Sequence, residues 1–563
     1  LIQNQLQIYF RNMRQHKLIN ILIISMVTMA SCSKRQKADL IVINATVYTV
    51  DSCFSIANGI AIGGGKILEV GNSDNILRKF QSDRVLDIKG KYVYPGFIDA
   101  HCHFLGYGLN LTKAWLAGAK TWEEVVNRLV ENQKLYPTNW VEGRGWNQNE
   151  WEVKGFPTNE LLNKLFPNKP VFIVRIDGHA AIANNRALEI AGVNQGTKVS
   201  GGQIVLKNGK PTGLLIDNAM ELVRSKIPAP NKATKEKALM DAQKNCFAVG
   251  LTGVHDAGLD ADEVRLIDSM QREGLLKMRI NTMLNPTSEN YEQYIQHSPF
   301  QTDRLTVRSI KIYADGALGS RGAYLLEPYS DDPKNRGIQV ESTEKLDSIC
   351  AMAYQNGYQV CTHSIGDAAV RLMLDIYSKY LSKGNDLRWR IEHSQVVDSA
   401  DFKRYGEYGI IPSVQTTHAT SDMFWAVNRL GARIRYAYAY QQLLMQNGWL
   451  PNGSDFPIED INPLFGFYAG VARQNHQGEP KGGFQPENAL SREQALRAMT
   501  IWAAKACFEE NMKGSIEPGK FADLVVLDID LLNCDISATI RAQVLMTVLN
   551  GEVVLNKYEN RNN

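Results

Sequence analysis

Short apolar runs recur along the chain between stretches of helical periodicity, and most of them end on a polar residue capable of chemistry. They cover 96–103, 251–256, 278–284, 309–313, 358–363, 389–393, 410–414 and 449–455. Brief apolar runs alternating with helical segments predict buried parallel strands joined by crossover helices. Eight such runs predict an α/β fold, a (β/α)8 TIM barrel, whose chemistry lies at the C-terminal ends of the strands. The spacing is uneven in one place. Residues 107–248, after the first run, far exceed a normal βα connection and predict a subdomain inserted over the barrel mouth. After the last run, Ser491-Arg492-Glu493-Gln494 reads as a capping box opening an Ala-rich helix through about Glu510.

The two ends of the chain share a pattern, Ala38-Asp39-Leu40-Ile41-Val42-Ile43-Asn44 and Ala522-Asp523-Leu524-Val525-Val526-Leu527-Asp528. Hairpin signals follow, Gly63-Gly64-Gly65-Lys66 in the first region and Asn550-Gly551 in the second. Residues 38–95 and 514–557 therefore predict one small β-sandwich built from both termini, with the barrel, 96–513, inserted between them.

Ahead of this frame, residues 1–12 read as upstream of a start at Met13, followed by basic Arg14 and Lys17 and apolar 18–30. That run falls short of the ~20 residues needed to span a bilayer but has the form of a secretory signal peptide. Met29-Ala30-Ser31-Cys32 resembles a bacterial lipobox, in which Cys32 is acylated; a plain cleaved signal is the alternative. Residues 33–37 then read as a solvated tether. The expectation is an exported protein, lipid-anchored in a bacterial cell envelope, with no later run able to cross a membrane.

Composition adds exclusions. A 563-residue chain that is 44% hydrophobic and 21% charged is globular, neither disordered nor fibrous. With 62 basic and 59 acidic residues, net +3, nothing points to nucleic acid as a partner. Beyond Cys32, the cysteines at 53, 102, 246, 350, 361, 507 and 534 include no CxxC pair and mostly sit in apolar runs. Buried free thiols, not a disulfide framework, are expected.

The chemistry begins with His101-Cys102-His103. On a strand, alternate residues share a face, so both imidazoles project together as a metal clamp. Reading the ends of the other runs adds His363, His393 and Asp455, with Lys311 inside the fourth. Imidazole and carboxylate are ligands for Zn²⁺ and its neighbours, and barrel closure can gather residues distant in sequence. Singly, each has an ordinary explanation: a hydrogen-bonded core histidine, a turn aspartate, or a Lys311–Asp315 pair. His179, His255 and His418 are as well suited to structural hydrogen bonds as to substrate contact. Arg321 suits a substrate carboxylate or a surface acid. Trp146 and Trp151 suit a pocket wall or a core.

Together, Pro95-Gly96-Phe97-Ile98-Asp99-Ala100-His101-Cys102-His103, the segment from Lys311 through Asp315-Gly316-Ala317-Leu318-Gly319-Ser320 to Arg321, Thr362-His363-Ser364-Ile365-Gly366-Asp367, Ile391-Glu392-His393 and Gly453-Ser454-Asp455 resemble the amidohydrolase superfamily. More narrowly, they are similar to its amidohydrolase 3 group of YtcJ-like proteins and N-substituted formamide deformylase. The resemblance spans about Ala38 to Val554. It implies one or two divalent metals, zinc foremost, with His101 and His103 on one, His363 and His393 on the second, and a carboxylated Lys311 bridging. Asp455 would be a ligand and the general base, and His393 or the adjacent metal would polarise a carbonyl. The implied reaction is hydrolysis of a C–N bond in a small amide, N-formyl compound or cyclic amide. Ester hydrolysis, deamination, or ligand binding without turnover by an exported lipoprotein are the alternatives.

Overall fold

A computed structural model describes residues 35–557 together with Arg11 and Met13. Seven parallel strands curve into a nearly closed barrel: β1 (Phe97–Cys102), β2 (Leu251–Leu259), β3 (Arg279–Leu284), β4 (Leu305–Tyr313), β5 (Gln359–Ser364), β6 (Arg390–His393) and β7 (Ile411–Ser413), hydrogen-bonded in that order. They are buried nearly throughout, as strands covered outside by helices must be.

The expected eighth strand is not a regular strand. Pro451 has no amide hydrogen to donate, and Asp455 adopts φ 59°, so no continuous ladder runs through 449–455. Single hydrogen bonds close the gap instead. The Gly453 amide donates to Val414 (3.0 Å), that of Ala100 to Asn452 (3.2 Å), and that of Asp455 to His101 (2.7 Å). Asp99 locks this seam by accepting the Ser454 hydroxyl (2.6 Å) and amide (3.1 Å) and the His101 amide (3.0 Å). Burial pushes its carboxyl up to about 7.

The insertion folds as a six-stranded sheet ordered Ala114–Trp115, Val141–Trp146, Val171–Arg175, Ala180–Ala183, Lys210–Asp217 and Gly202–Lys207. Its limit differs from the expected 248. The helix Lys232–Ala248 buries Ala238, Leu239, Ala242, Cys246 and Phe247 in the barrel's own core, and Gly108 lies so close that a Cβ there would come within 2.1 Å of the Ala238 carbonyl. It is the crossover helix leading into β2. The helix expected over 491–510 keeps its capping box but divides into Arg492–Ala498 and Ile501–Ala506. The carbonyls of Ala498 and Met499 accept the amides of Asn452 and Ile98, which draws them away from helical partners.

Chain ends meet in a six-stranded sheet where Leu524–Leu527 pairs antiparallel with Tyr92–Pro95. A four-stranded sheet containing Leu40–Ile43 shares its core, through Leu40, Ile60, Val93, Leu524 and Val548. Gln36 and Lys37, expected in the tether, pair with Phe80–Gln81, so the fold begins earlier than the sequence indicates. The expected signal peptide, lipobox and Cys32 lie outside the described residues. Among the described residues no helix is long and apolar enough to cross a membrane, and the seven cysteines are free.

The small terminal domain is tied to the barrel by a buried ion pair. Arg279 at the start of β3 grips Asp523 bidentately (2.6 and 2.9 Å) and stacks on Phe521 at 3.8 Å. Removing one partner strands the other charge in the interior. Asp523→Ala is expected to cost about 3 kcal/mol in denaturant unfolding, while Arg279→Met with Asp523→Leu loses much less.

Candidate active site

The barrel brings six predicted residues together at its C-terminal mouth. His101 is fully buried near the end of β1, and His103 follows the strand as the residue before the helix Phe104–Asn110, its Nδ1 3.1 Å from the Ala257 carbonyl. Asp455 Oδ1 lies 3.2 Å from His103 Nε2 and 3.6 Å from His101 Nε2. Lys311 Nζ is 3.1 Å from His101 Nε2. The rings of His363 and His393 stand 4.5 Å apart, and His393 is 5.1 Å from His101. His393 ends β6 at φ 74°, which frees it from strand alternation, so that it and its neighbour Glu392 both serve this site.

One ligand atom from each of His101, His393 and Asp455 falls within 4.8 Å of the others. His393 Nδ1 is buried without a hydrogen-bond partner, a cost of ~1–3 kcal/mol that a cation would relieve. Neutral imidazoles with one carboxylate suit a first-row divalent ion. Electrostatics prepare them for it. Burial, reinforced by Lys311, brings His101 down to about 4, and burial holds His363 and His393 well below the usual histidine range. Burial also lowers Lys311. Against burial, the adjacent His103 and His418 imidazoles, 3.2 and 3.7 Å away, hold Asp455 well below the usual carboxylate range.

Beneath the mouth runs a buried chain that the sequence reading did not assign. Glu392 Oε2 accepts His101 Nδ1–H at 2.6 Å, which leaves the His101 Nε2 lone pair facing the cluster. Arg390 pairs with Glu392 (2.6 Å) and donates to the Ala100 carbonyl (2.6 Å) and the Ser413 hydroxyl (2.8 Å). Burial opposes the Glu392 charge, but Arg390 and His101 hold its carboxyl below the ordinary range. The available signal was Arg390-Ile391-Glu392, two charges on alternate positions of a strand that had to be buried.

The secondary candidates divide. His418 joins the site, 3.7 Å from Asp455 and 3.1 Å from Glu459; burial opposes its charge, yet these acids raise it to about 10. His179 comes down from the inserted sheet, its ring 4.8 Å from that of His363 and its Nδ1 2.8 Å from Asp217. His255, expected to face the mouth, lies fully buried with Nδ1 3.0 Å from Arg390, because that guanidinium fills the barrel interior below the cluster. Arg321 pairs with a neighbouring acid, Asp331 (3.0 Å). Trp146 and Trp151 belong to a core of the insertion, their indole N–H groups given to the Ile173 and Ala119 carbonyls. Lys311 has no ion pair with Asp315, whose carboxylate accepts the amides of Tyr324, Ile365 and Gly366.

Two outcomes follow. Glu392→Gln leaves Arg390 unpaired and loosens the His101 tautomer, so unfolding free energy should drop by about 3 kcal/mol and metal content should fall with it. His418 is raised, so its stabilisation is present in full below its unfolded value of ~6.5 and is lost as pH rises toward about 10. Melting of chelator-treated protein should therefore weaken across that window, and less so in His418→Gln.

Comparison with known proteins agrees with this geometry. The sequence profile of the amidohydrolase family matches residues 84–555. Protein LONG AFTER FAR-RED 3 of Arabidopsis thaliana is 34% identical over 538 residues, covering 92% of this chain and 91% of its own. N-substituted formamide deformylase of Arthrobacter pascens is 28% identical over 539 residues, covering 92% and 98%. A crystal structure of an uncharacterized metal-dependent hydrolase from Pyrococcus horikoshii OT3 superimposes with a TM-score of 0.73 at 30% identity, covering 88% of this chain and 99% of that one.

Proposed function

The chain belongs to the amidohydrolase family, and from that premise we propose that it is a metal-dependent hydrolase cleaving a C–N bond in a small amide, N-formyl compound or cyclic amide. The observation that carries the reading is the convergence of His101, His393 and Asp455 donors within 4.8 Å at the barrel mouth. The deformylase name of one relative supports the bond class, and the description of the structural relative supports metal dependence.

His101, His103, His363, His393 and Asp455, with Lys311 between them, are the residues that would hold one or two divalent ions, zinc foremost. Bound there, the metal supplies Lewis acidity and brings the pKa of water toward ~7. Asp455, ionised at neutral pH, takes the proton of the attacking water and returns it to the leaving nitrogen. His418 holds the Asp455 carboxylate in place through the contact at 3.7 Å. Burial favours the neutral Lys311 amine, the form that adds to carbon dioxide with loss of a proton to give a carbamate.

Elemental analysis should find one or two divalent ions per chain, two if Lys311 is carboxylated. Screening amides and N-formyl amines should release free amine. Asp455→Asn should reduce kcat at least ~100-fold and chelation should abolish it. Stoichiometric metal with no turnover of amides, esters or amines would favour a binding protein. Export and lipid anchoring remain part of the proposal, supported by residues 18–30 and the segment ending at Cys32. Labelled palmitate should enter the wild type in a bacterial host and be lost from Cys32→Ala.

A further inference from the structure

Among the described residues, the inserted sheet holds a half-buried arginine, Arg144, with no ion pair. On the strand Val141–Trp146, Arg144 lies at a β-bulge, where the register with Val171–Arg175 shifts between Arg144 and Trp146 and Gly145 takes φ 110°. Bulges re-aim side chains, and they recur beside active sites. The guanidinium lies under the loop that carries His179 to the site: Arg144 Nη2 donates to the Ile176 carbonyl at 3.2 Å, and Gly178 is so close that a Cβ there would sit 3.4 Å from the same nitrogen.

Its charged neighbours are all paired. Arg175 bonds Asp177 (2.6 Å), His179 bonds Asp217 (2.8 Å), Arg224 bonds Glu221 (2.6 Å), and Glu142, two positions earlier on the same face, bonds Lys113 (2.7 Å). Among the described residues Arg144 forms no ion pair, and its Nε is buried without a hydrogen-bond partner. A half-buried guanidinium whose Nε is buried unpartnered and whose one hydrogen bond goes to a carbonyl is incompletely satisfied, and a carboxylate meets two guanidinium N–H groups at once. Burial lowers Arg144 to about 10, and the largest charge acting against that shift is Asp455, so it lies within the field of the candidate catalytic cluster.

We propose that Arg144 binds an anionic group of the substrate, a carboxylate distal to the bond being cut, and so selects carboxylate-bearing amides. This rests on the hydrolase reading for the identity of the cut bond, but binding tests it separately. The other role open to Arg144, a strut for the 176–179 loop, would affect charged and neutral ligands equally.

The test uses the metal-loaded full chain with N-formyl-phenylalanine and its uncharged counterpart N-formyl-phenylalaninamide. Dissociation constants come from calorimetry, and kcat and KM are measured wherever formate is released. Wild type should favour the carboxylate at least ~tenfold, the scale of a charge-assisted contact. Arg144→Met should erase that preference while leaving the neutral compound's affinity and the metal content unchanged, and Arg144→Lys should retain part of it. Equal affinity in wild type, absence of binding by both compounds, or a preference that survives in Arg144→Met overturns the proposal. If the preference and its loss hold but formate is never released, the C–N hydrolase reading fails and anion recognition by Arg144 stands.

Discussion

A buried ion pair at the centre of the barrel sets the terms for everything above it. Arg390 and Glu392 are both fully buried, and such a pair is tolerated only when its remaining hydrogen bonds are made. Those bonds go to β1 through Ala100 and His101, to β2 through His255, and to β7 through Ser413. One guanidinium and one carboxylate thus tie four strands together. The same bonds fix which nitrogen of His101 faces the cluster, so fold stability and site geometry depend on one set of contacts.

Closure of the barrel shows a related economy. Where an eighth strand is absent, Asp99 holds the 453–455 segment against β1, and that segment delivers Asp455 at φ 59°. Left-handed backbone at a non-glycine residue persists only where the surroundings enforce it. Here the Asp455 amide bonded to the His101 carbonyl is part of that enforcement. The carboxylate is placed by the same irregularity that prevents a regular strand.

The inserted sheet adds what the barrel lacks. It has cores on its two faces, so it folds around its own apolar side chains while its loops reach the mouth. Through His179 and Arg144 it brings a hydrogen-bonding group and a cation to a cluster built from strand ends. In such an arrangement the barrel supplies the reacting groups and the insertion is free to vary the ligand.

Much of this was legible in the residues themselves. Short apolar runs with polar ends predicted eight strands, of which seven form, and pointed to His101, His363, His393, Lys311 and Asp455 at one mouth, because those signals are local and repeat with each strand. The sequence could not weigh Trp146 as core against pocket, or His255 as a structural hydrogen-bonding group against a substrate contact, since both depend on what packs against them from residues far away. It also missed that Pro451 and Asp455 end the eighth strand's ladder, that Lys232–Ala248 belongs to the barrel, and that Glu392 orients His101. Each of these is settled by long-range contact: a helix packed on a core, a carboxylate within 2.6 Å of a ring 291 positions away. Residue type and periodicity determined which groups were available for chemistry, while tertiary closure decided which of them meet, because distance in space is fixed by packing and not by order along the chain.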